Sequence, residues 1–197
     1  MNKARLEAFS DGVLAVIITI MVLEMKPPSG STLAALKPVI PVLLSYLLSF
    51  VYVAIYWNNH HHLLHATQHV NGAILWANLH LLFWLSLVPF ATAWMDSNHF
   101  EPWPVAVYGL VLLLAGIAYF ILTRTLIALH GRDSILATSI GRDRKGLISI
   151  LIYAVAIPLA FVRSWIAGTF YIMVAVIWLV PDPRIERNVA RAQDGDT

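Results

Sequence analysis

The sequence contains no cysteine and few charged residues, and both shortages limit the kinds of protein that it can encode. Without cysteine, the chain can form neither disulfide bonds nor metal sites built on thiolates. Charged residues make up 12% of the 197 residues, about half of the roughly 25% usual in soluble domains. Hydrophobic residues make up 59%, and the mean hydropathy is +0.72. These values predict an all-α integral membrane protein rather than a soluble domain.

The sequence pattern predicts neither a cleavable secretory signal nor a nucleic-acid-binding surface. Lys3 and Arg5 precede an apolar run, but Glu7 and Asp11 interrupt it, and no small-residue cleavage site follows. The basic residues lie mainly in predicted loops and at the chain ends, so the net charge of +2 does not indicate binding to nucleic acid. We therefore expect the lipid bilayer to be the main environment of the chain.

Apolar segments separated by turn-forming residues predict a single subunit, 1–197, with six transmembrane helices. Pro27, Pro28 and Gly30 separate the first segment from the second, and Arg163-Ser164 forms a tight hairpin between the last two. Pro89 predicts a kink within the third. The predicted spans are 4–25, 38–58, 71–95, 103–129, 146–163 and 165–181, followed by a short charged tail at 182–197.

The distribution of the 13 Lys and Arg residues predicts the orientation. If the N-terminus is inside, only Lys26, Lys37 and Arg163 lie on the outer side. The positive-inside rule then places both termini in the cytoplasm, as in a multi-pass protein of the cell membrane.

The first predicted helix carries a short apolar run behind a polar start. The uncharged part, from Gly12 to Leu23, is shorter than the about 20 residues that a free-standing span needs. Ser10 and Asp11 must therefore enter the bilayer or lie close to it. An ionisable residue at that depth normally faces a bundle interior or a water path. This predicts a position at the centre of an assembly.

A helical projection at about 100° per residue divides this segment into two faces. Asp11 lies nearly opposite Val16, on the second face. Ordinary packing against neighbouring helices or lipid explains such faces equally well, because membrane helices are apolar on most sides. The first face carries Phe9, Gly12, Val16, Thr19, Ile20 and Leu23.

A short motif suggests a family. Arg5, Phe9, Ser10 and Asp11 spell R-x-x-x-F-S-D at the start of the first helix. This resembles the signature of the TMEM175 family of potassium channels in its short prokaryotic form, a six-helix subunit of about this length. The resemblance implies a homotetramer in which the first helices line a central pore that has no carbonyl selectivity filter. We find no internal repeat, which agrees with one copy of a module that animal relatives carry twice.

The resemblance also implies roles for residues of the first helix. By offset from the motif, Val16, Ile20 and Leu23 would form a hydrophobic pore constriction, and Thr19 would be the threonine that lines the helix and contributes to selectivity. Val16 stands where the larger isoleucine is common. Glu24 lies just beyond Leu23, where it would either concentrate cations at the outer mouth or extend into the interface. The implied function is a leak-type, potassium-selective channel without a cofactor, and proton permeation is left open.

Polar residues of the second and third spans lie at the same predicted depth as Asp11. Because a buried carboxylate needs partners, we expect Ser10 and Asp11 to bond to some of them and so to fix the rotation of the first helix. Arg5 is a poor partner for Asp11, since a six-residue offset separates their faces. The candidate partners are Trp57, His60, His61, Asn78 and His80.

The histidine cluster supports an alternative function, a membrane metalloenzyme that uses His60 to His80. His61, His65 and His69 are spaced i, i+4, i+8, a spacing that can bind zinc, copper or iron. Membrane hydroxylases and desaturases carry several such clusters, however, and this chain has one, with no cluster of carboxylates or cysteines to complete a site. We therefore expect no metal and no enzyme, and a solvated turn at the interface is the simplest interpretation. A secondary transporter is disfavoured by the lack of repeats.

Overall fold

The computed structural model describes residues 2–131 and 144–179, and all regular structure within these ranges is helical. The predicted tail at 182–197 lies outside the described residues. The elements are α1 (Lys3–Leu23), a 3₁₀ helix (Leu33–Val39), α2 (Ile40–His65), α3 (Gly72–Ser86), α4 (Val88–Ser97), α5 (Pro102–His130), α6 (Arg144–Leu159) and α7 (Ser164–Leu179).

The first helix begins and ends close to the predicted bounds. Asn2 caps its start, where the side-chain oxygen accepts a hydrogen bond from the backbone N–H of Ala4 at 3.0 Å. The helix ends at Leu23, shortly before the two prolines that cannot continue it. The helix therefore lies within two residues of the predicted span 4–25 at each end.

The helix at the second predicted span, 38–58, continues past the predicted end of the span. The chain enters it through the 3₁₀ helix, and α2 then continues to His65. Asn58, Asn59 and the histidines are polar, but this stretch contains no glycine or proline that would stop a helix. The side chain of Asn59 donates to the Ile55 carbonyl at 2.8 Å, one turn back. The interpretation of the histidine cluster as a turn is consequently wrong for His60, His61, His62 and His65, which are helical.

The third predicted span, 71–95, is divided into two helices and ends two residues later. α3 ends at Ser86, and α4 begins at Val88, with Pro89 in its first turn. Proline has no N–H to donate to the preceding turn. The predicted kink is thus a break between helices, and the broken segment is still continuous enough to count as one candidate span, Gly72–Ser97.

The boundary between the last two helices also differs from the predicted one. The span predicted at 146–163 ends at Leu159, after Pro158, and a hydrogen-bonded turn follows in which the Arg163 N–H donates to the Leu159 carbonyl at 2.9 Å. α7 then begins at Ser164, one residue before the predicted start. The hairpin between the two helices is therefore longer than two residues.

In the described part of the chain, four segments are long and apolar enough to cross a bilayer. α6 and α7 have 16 residues each, about 24 Å at 1.5 Å per residue, against a hydrocarbon core of about 30 Å. The protein is therefore a multi-helix membrane protein. The four segments are Lys3–Leu23, Leu33–His65, Gly72–Ser97 and Pro102–His130.

The core forms around α5, which contacts α3, α4, α6 and α7, while α1 packs on α2, α3 and α4. Serine and tyrosine side chains of α2 point into this core, as interhelical hydrogen bonding requires. The Ser49 hydroxyl lies 2.7 Å from that of Thr92 and 3.0 Å from that of Tyr108. The Tyr52 hydroxyl donates to the Tyr171 carbonyl at 2.6 Å. These hydrogen bonds join α2 to α4, α5 and α7 inside the core.

Substitution of Gly109 by alanine tests how tightly α5 and α7 pack. A Cβ atom at Gly109 would overlap the hydroxyl of Tyr171, which donates to the Val105 carbonyl at 3.1 Å. We expect Gly109→Ala to destabilise the protein by about 1–3 kcal/mol, measured as a lower melting temperature in detergent. Gly116→Ala is the matched control, since its Cβ would meet its nearest neighbours at 3.7 Å. Equal melting temperatures for the two variants would contradict this packing.

Candidate pore-lining helix and its polar anchor

The two faces of α1 differ in what surrounds them. The stripe that points into the bundle is buried and follows the helical repeat: Leu6, Ser10, Leu14, Ile17 and Met21. A second stripe is uncovered in the subunit, and we call it the open face: Phe9, Val16, Ile20 and Leu23, which are 54, 55, 41 and 79% exposed. The sequence projection placed these four residues on one side, and the subunit leaves that side free.

An apolar groove of about 710 Å³ runs along the open face. Its first wall is α1, from Ala8 to Glu24 at the end of the helix. Its second wall comes from α4 and the end of α3, where Ser86, Pro89, Phe90 and Ala93 lie. The sequence does not predict this second wall, since Pro89 indicates only a kink.

Thr19 lies beside the open face with its hydroxyl already oriented. The Thr19 Oγ1 donates its hydrogen to the Val16 carbonyl at 2.8 Å, and the residue is exposed. A hydroxyl that donates once still has lone pairs that can accept or coordinate. The side chain can therefore present an oxygen, but not a further donor, to whatever occupies the space beside α1.

A chain of buried hydrogen bonds joins α1 to α3 and α2, and we call it the anchor. The Ser10 Oγ donates to the Leu6 carbonyl at 2.8 Å, and Asn78 Nδ2 donates to Ser10 Oγ at 2.9 Å. His60 Nε2 lies 2.7 Å from Asn78 Oδ1. All three side chains are at least 99% buried. Breaking one of these bonds leaves a buried polar group without a partner, which is costly.

The direction of the bonds in the anchor fixes the tautomer of His60. Because the Asn78 amide nitrogen donates to Ser10, its oxygen must accept, and His60 must carry a proton on Nε2. Among the described residues, His60 Nδ1 then has no hydrogen-bond partner. The anchor therefore uses one side of the imidazole ring only.

A second set of contacts holds the acidic residues of α1 against α2. Trp57 Nε1 donates to Asp11 Oδ1 at 3.0 Å, and its ring stacks on that of His61 with centroids 6.0 Å apart. His61 Nδ1 lies 3.4 Å from Glu7 Oε1. At the very start of α1, Lys3 Nζ donates to the His65 carbonyl at 3.2 Å, a contact that the sequence did not indicate. Over successive turns, polar residues at the start of α1 thus contact polar groups at the end of α2.

One expected partner of α1, His80, is bonded elsewhere, and two charged residues of α1 form no bond with the expected partners among the residues that the structure describes. The ring of His80 accepts a hydrogen bond from Trp84 Nε1 at 2.9 Å, one turn along the same helix. Arg5 is exposed and forms no ion pair within residues 2–131 and 144–179. Glu24 caps the end of α1 and borders the groove. The predicted depth of a residue in the membrane therefore indicated most of the partners of α1, but it did not indicate which atoms bond to each other.

The histidines do not assemble a metal site in the described ranges. No group of three or more histidine, aspartate or glutamate side chains there could hold a metal ion. His60 is turned to Asn78, while His61, His62 and His65 follow one another along the surface of α2, with ring centroids 5.7 Å and 6.1 Å from that of His61. The metalloenzyme hypothesis receives no support from this arrangement.

Comparison with known protein families identifies relatives of this chain. Residues 5–89 match the family model described as endosomal/lysosomal potassium channel TMEM175. A protein of Chryseobacterium sp. named as a potassium channel is 55% identical over 96% of this chain and 98% of its own length. Another from Streptomyces collinus is 34% identical over 83% and 85%. The mouse endosomal/lysosomal proton channel TMEM175 is 27% identical over 86% of this chain and 38% of its own length.

A solved structure has the same fold. The crystal structure of a lysosomal potassium-selective channel TMEM175 homolog from Chamaesiphon minutus superimposes with a TM-score of 0.77, at 27% identity, over 90% of this chain and 96% of that one. These relatives are ion channels rather than enzymes.

Proposed function

Since the chain belongs to the TMEM175 family of ion channels, we propose that it forms a potassium-selective leak channel of the cell membrane. Four six-helix subunits would assemble around one axis, with α1 of each subunit lining the pore and both termini in the cytoplasm. The observation that carries this proposal is the division of α1 into a polar-anchored buried face and an apolar open face with a groove beside it.

The open side of α1 favours assembly over contact with lipid. Lipid could cover Val16 and Ile20, but the same side of the helix carries the exposed Arg5 at one end and Glu24 at the other. Charged groups at the ends of a helix this short lie close to the hydrocarbon region, where they are costly unless they face protein or water. Four copies of α1 around an axis would give these groups a water-filled path.

Rings of Val16, Ile20 and Leu23 would form the constriction. A narrow apolar neck excludes water, and a modest widening admits a hydrated or partly hydrated ion. Potassium loses its water more easily than sodium does, so a weakly coordinating neck favours potassium. Thr19, whose oxygen keeps free lone pairs, would supply one ligand per subunit, and Glu24 would attract cations to the outer mouth.

The anchor would set the rotation of α1 and hence which side chains reach the axis. Adjacent residues on a helix point about 100° apart. Ser10, Asn78 and His60 are joined in the interior, and Asp11 is bonded to Trp57. If these bonds were missing, rotation of the apolar helix about its own axis would cost little free energy. We therefore assign the R-x-x-x-F-S-D motif an orienting role, in which Arg5 and Phe9 remain available to a neighbouring subunit.

Ion flux from proteoliposomes tests the proposed function. We expect purified wild-type protein to release potassium several-fold faster than sodium, and Thr19→Val to lose part of this preference because the ligand oxygen is removed while the branched shape is kept. Thr19→Ser is the matched control and should retain the preference. Equal potassium and sodium fluxes in the wild type, compared with protein-free vesicles, would refute the proposal. A pH-sensitive dye in the same vesicles would report whether protons also pass.

A further inference from the structure

His130 lies at the end of the bundle at which α1 begins. It is the last residue of α5, and its Nδ1 bonds to the Leu126 carbonyl at 2.9 Å. Its Nε2 accepts the backbone N–H groups of both Gln68 and His69, each at 3.2 Å. A nitrogen that faces two N–H groups must be the unprotonated one. The ring is therefore neutral, with its single proton on Nδ1.

The two amides belong to the connection between α2 and α3, residues 66–71. This connection is held at both of its ends: Thr67 Oγ1 donates to the Leu63 carbonyl at 2.8 Å, and the Asn71 side chain caps α3. The end of α2 in turn receives the Lys3 side chain of α1 through the His65 carbonyl. His130 thus joins the end of α5 to the segment on which the start of α1 rests.

Protonation of the His130 ring would break the contacts at Nε2 and preserve the contact at Nδ1. A hydrogen on Nε2 would point at two N–H donors, so both amide bonds would be lost. The bond from Nδ1 to the Leu126 carbonyl would remain, and the carboxyl end of a helix stabilises a positive charge there. The side chain therefore has two defined states, which differ in whether they hold the connection.

Within residues 2–131 and 144–179, the elements that adjoin this end of the bundle carry both acidic and basic side chains, and the acidic ones, Glu7 and Asp11 of α1, contact His61 and Trp57 of α2. His69 comes from the connection itself, Arg124 from α5, His65 and Lys3 from the adjoining ends of α2 and α1, and Arg144 and Lys145 from the start of α6, which packs against α5. α3 and α4 also pack against α5, and their titratable groups, His80 and Asp96, are bonded to Trp84 and Ser45. α7 contributes no titratable group except Tyr171, which is bonded within the core.

We propose that His130 is a pH-sensitive latch: neutral, it holds the connection between α2 and α3 through two backbone amides, and protonated, it releases it. Release would loosen the support for the start of α1 and so change ion conduction. The effect on conduction rests on the proposed function, whereas the latch itself does not. Acidification on the side where α1 begins would then regulate the channel without any change in the pore itself.

Hydrogen exchange of residues 66–71 tests the latch directly. Exchange would be followed at about pH 5.5 and about pH 7.5, either side of the range in which histidine side chains titrate, and corrected for the intrinsic pH dependence. We expect wild-type amides to exchange on the order of tenfold faster at the lower pH, as the loss of two hydrogen bonds predicts. His130→Gln, which keeps an acceptor and cannot be protonated, should show no difference, and His62→Gln, exposed on α2, should behave as wild type.

Two results would overturn the latch: equal corrected exchange of the wild type at both pH values, or nitrogen NMR that places the His130 proton on Nε2 at neutral pH. A separate experiment tests its effect on conduction. Potassium flux, with pH changed on both sides of the vesicle membrane, should depend on pH several-fold more in wild type than in His130→Gln. An equal dependence in both would reject the coupling even if the latch is present. Absence of any flux would reject the proposed function and leave the exchange result unaffected.

Discussion

Replacing Ile20 by asparagine is expected to increase the resting cation leak and to flatten the preference for potassium over sodium. Ile20 lies on the open face and borders the groove beside α1. In a ring of four, its apolar side chains would keep water out of the neck, and four amides would let water in. An increase on the order of tenfold in flux corresponds to a barrier lowered by about 1.4 kcal/mol. Leu23→Asn should act in the same direction.

The control for this prediction is Val22→Asn. Val22 is as exposed in the subunit as Ile20, at 43 against 41%, but it points to a different side of the helix. We expect it to leave flux and selectivity close to wild type. A leak of the same size in Val22→Asn would mean that an amide disturbs the helix wherever it is placed. Unchanged selectivity in both Ile20→Asn and Leu23→Asn would place the conduction path along another helix.

The sequence predicted the long helices because their limits are marked by residues that cannot continue a helix. Pro27 and Pro28 follow α1, and Pro102 opens α5, one residue before the predicted start. Where the limit is not marked in this way, the prediction failed. Polar residues from Asn58 onward suggested an end to the second span, but α2 continues to His65. Polarity indicates the edge of a membrane, and only glycine, proline or a cap indicates the end of a helix.

The direction of each helix face was harder to predict than its length. The residues of α1 that the subunit leaves open are as apolar as those it buries, so periodicity alone cannot distinguish a core from a pore or from lipid. The few polar residues resolved this ambiguity. Ser10 is buried in the structure and bonded to Asn78, about 120° around the helix from Val16, which identifies the inner face. One buried hydroxyl therefore gave more information than the whole apolar run.

The hydrogen-bond partners could be predicted as a group but not as pairs. The sequence predicts that residues at the depth of Asp11 bond to Ser10 and Asp11. Trp57 bonds to Asp11 and Asn78 bonds to Ser10, while His60 bonds to Asn78. His80 lies at a similar depth, but its ring is turned to Trp84. Depth follows from counting residues along a helix. The angle at which each helix faces its neighbour depends on packing, which the sequence of one chain does not specify.

Asn78→Ala is expected to damage folding and assembly more than any other single substitution near α1. Asn78 is the middle member of the anchor, so its removal leaves both the Ser10 hydroxyl and the His60 N–H without this partner in the interior. The His60 N–H is then unpaired in the interior, which costs about 1–3 kcal/mol, while the Ser10 hydroxyl keeps only its bond to the Leu6 carbonyl. We expect a lower melting temperature and a smaller fraction of intact oligomer in detergent, measured by thermal denaturation and size-exclusion chromatography.

The matched control for Asn78→Ala is Asn59→Ala, because among the described residues the Asn59 side-chain amide donates only to the Ile55 carbonyl on its own helix. That variant should remain close to wild type. A double-mutant cycle then tests the anchor itself: if Ser10 and Asn78 act through their shared bond, adding Ser10→Ala to Asn78→Ala should cost less than Ser10→Ala costs alone, with a coupling of about 0.5–3 kcal/mol. Strictly additive effects would show that the two residues stabilise α1 independently. In that case the rotation of the helix would have to be fixed by Asp11 and Trp57, whose bond lies closer to the surface of the subunit.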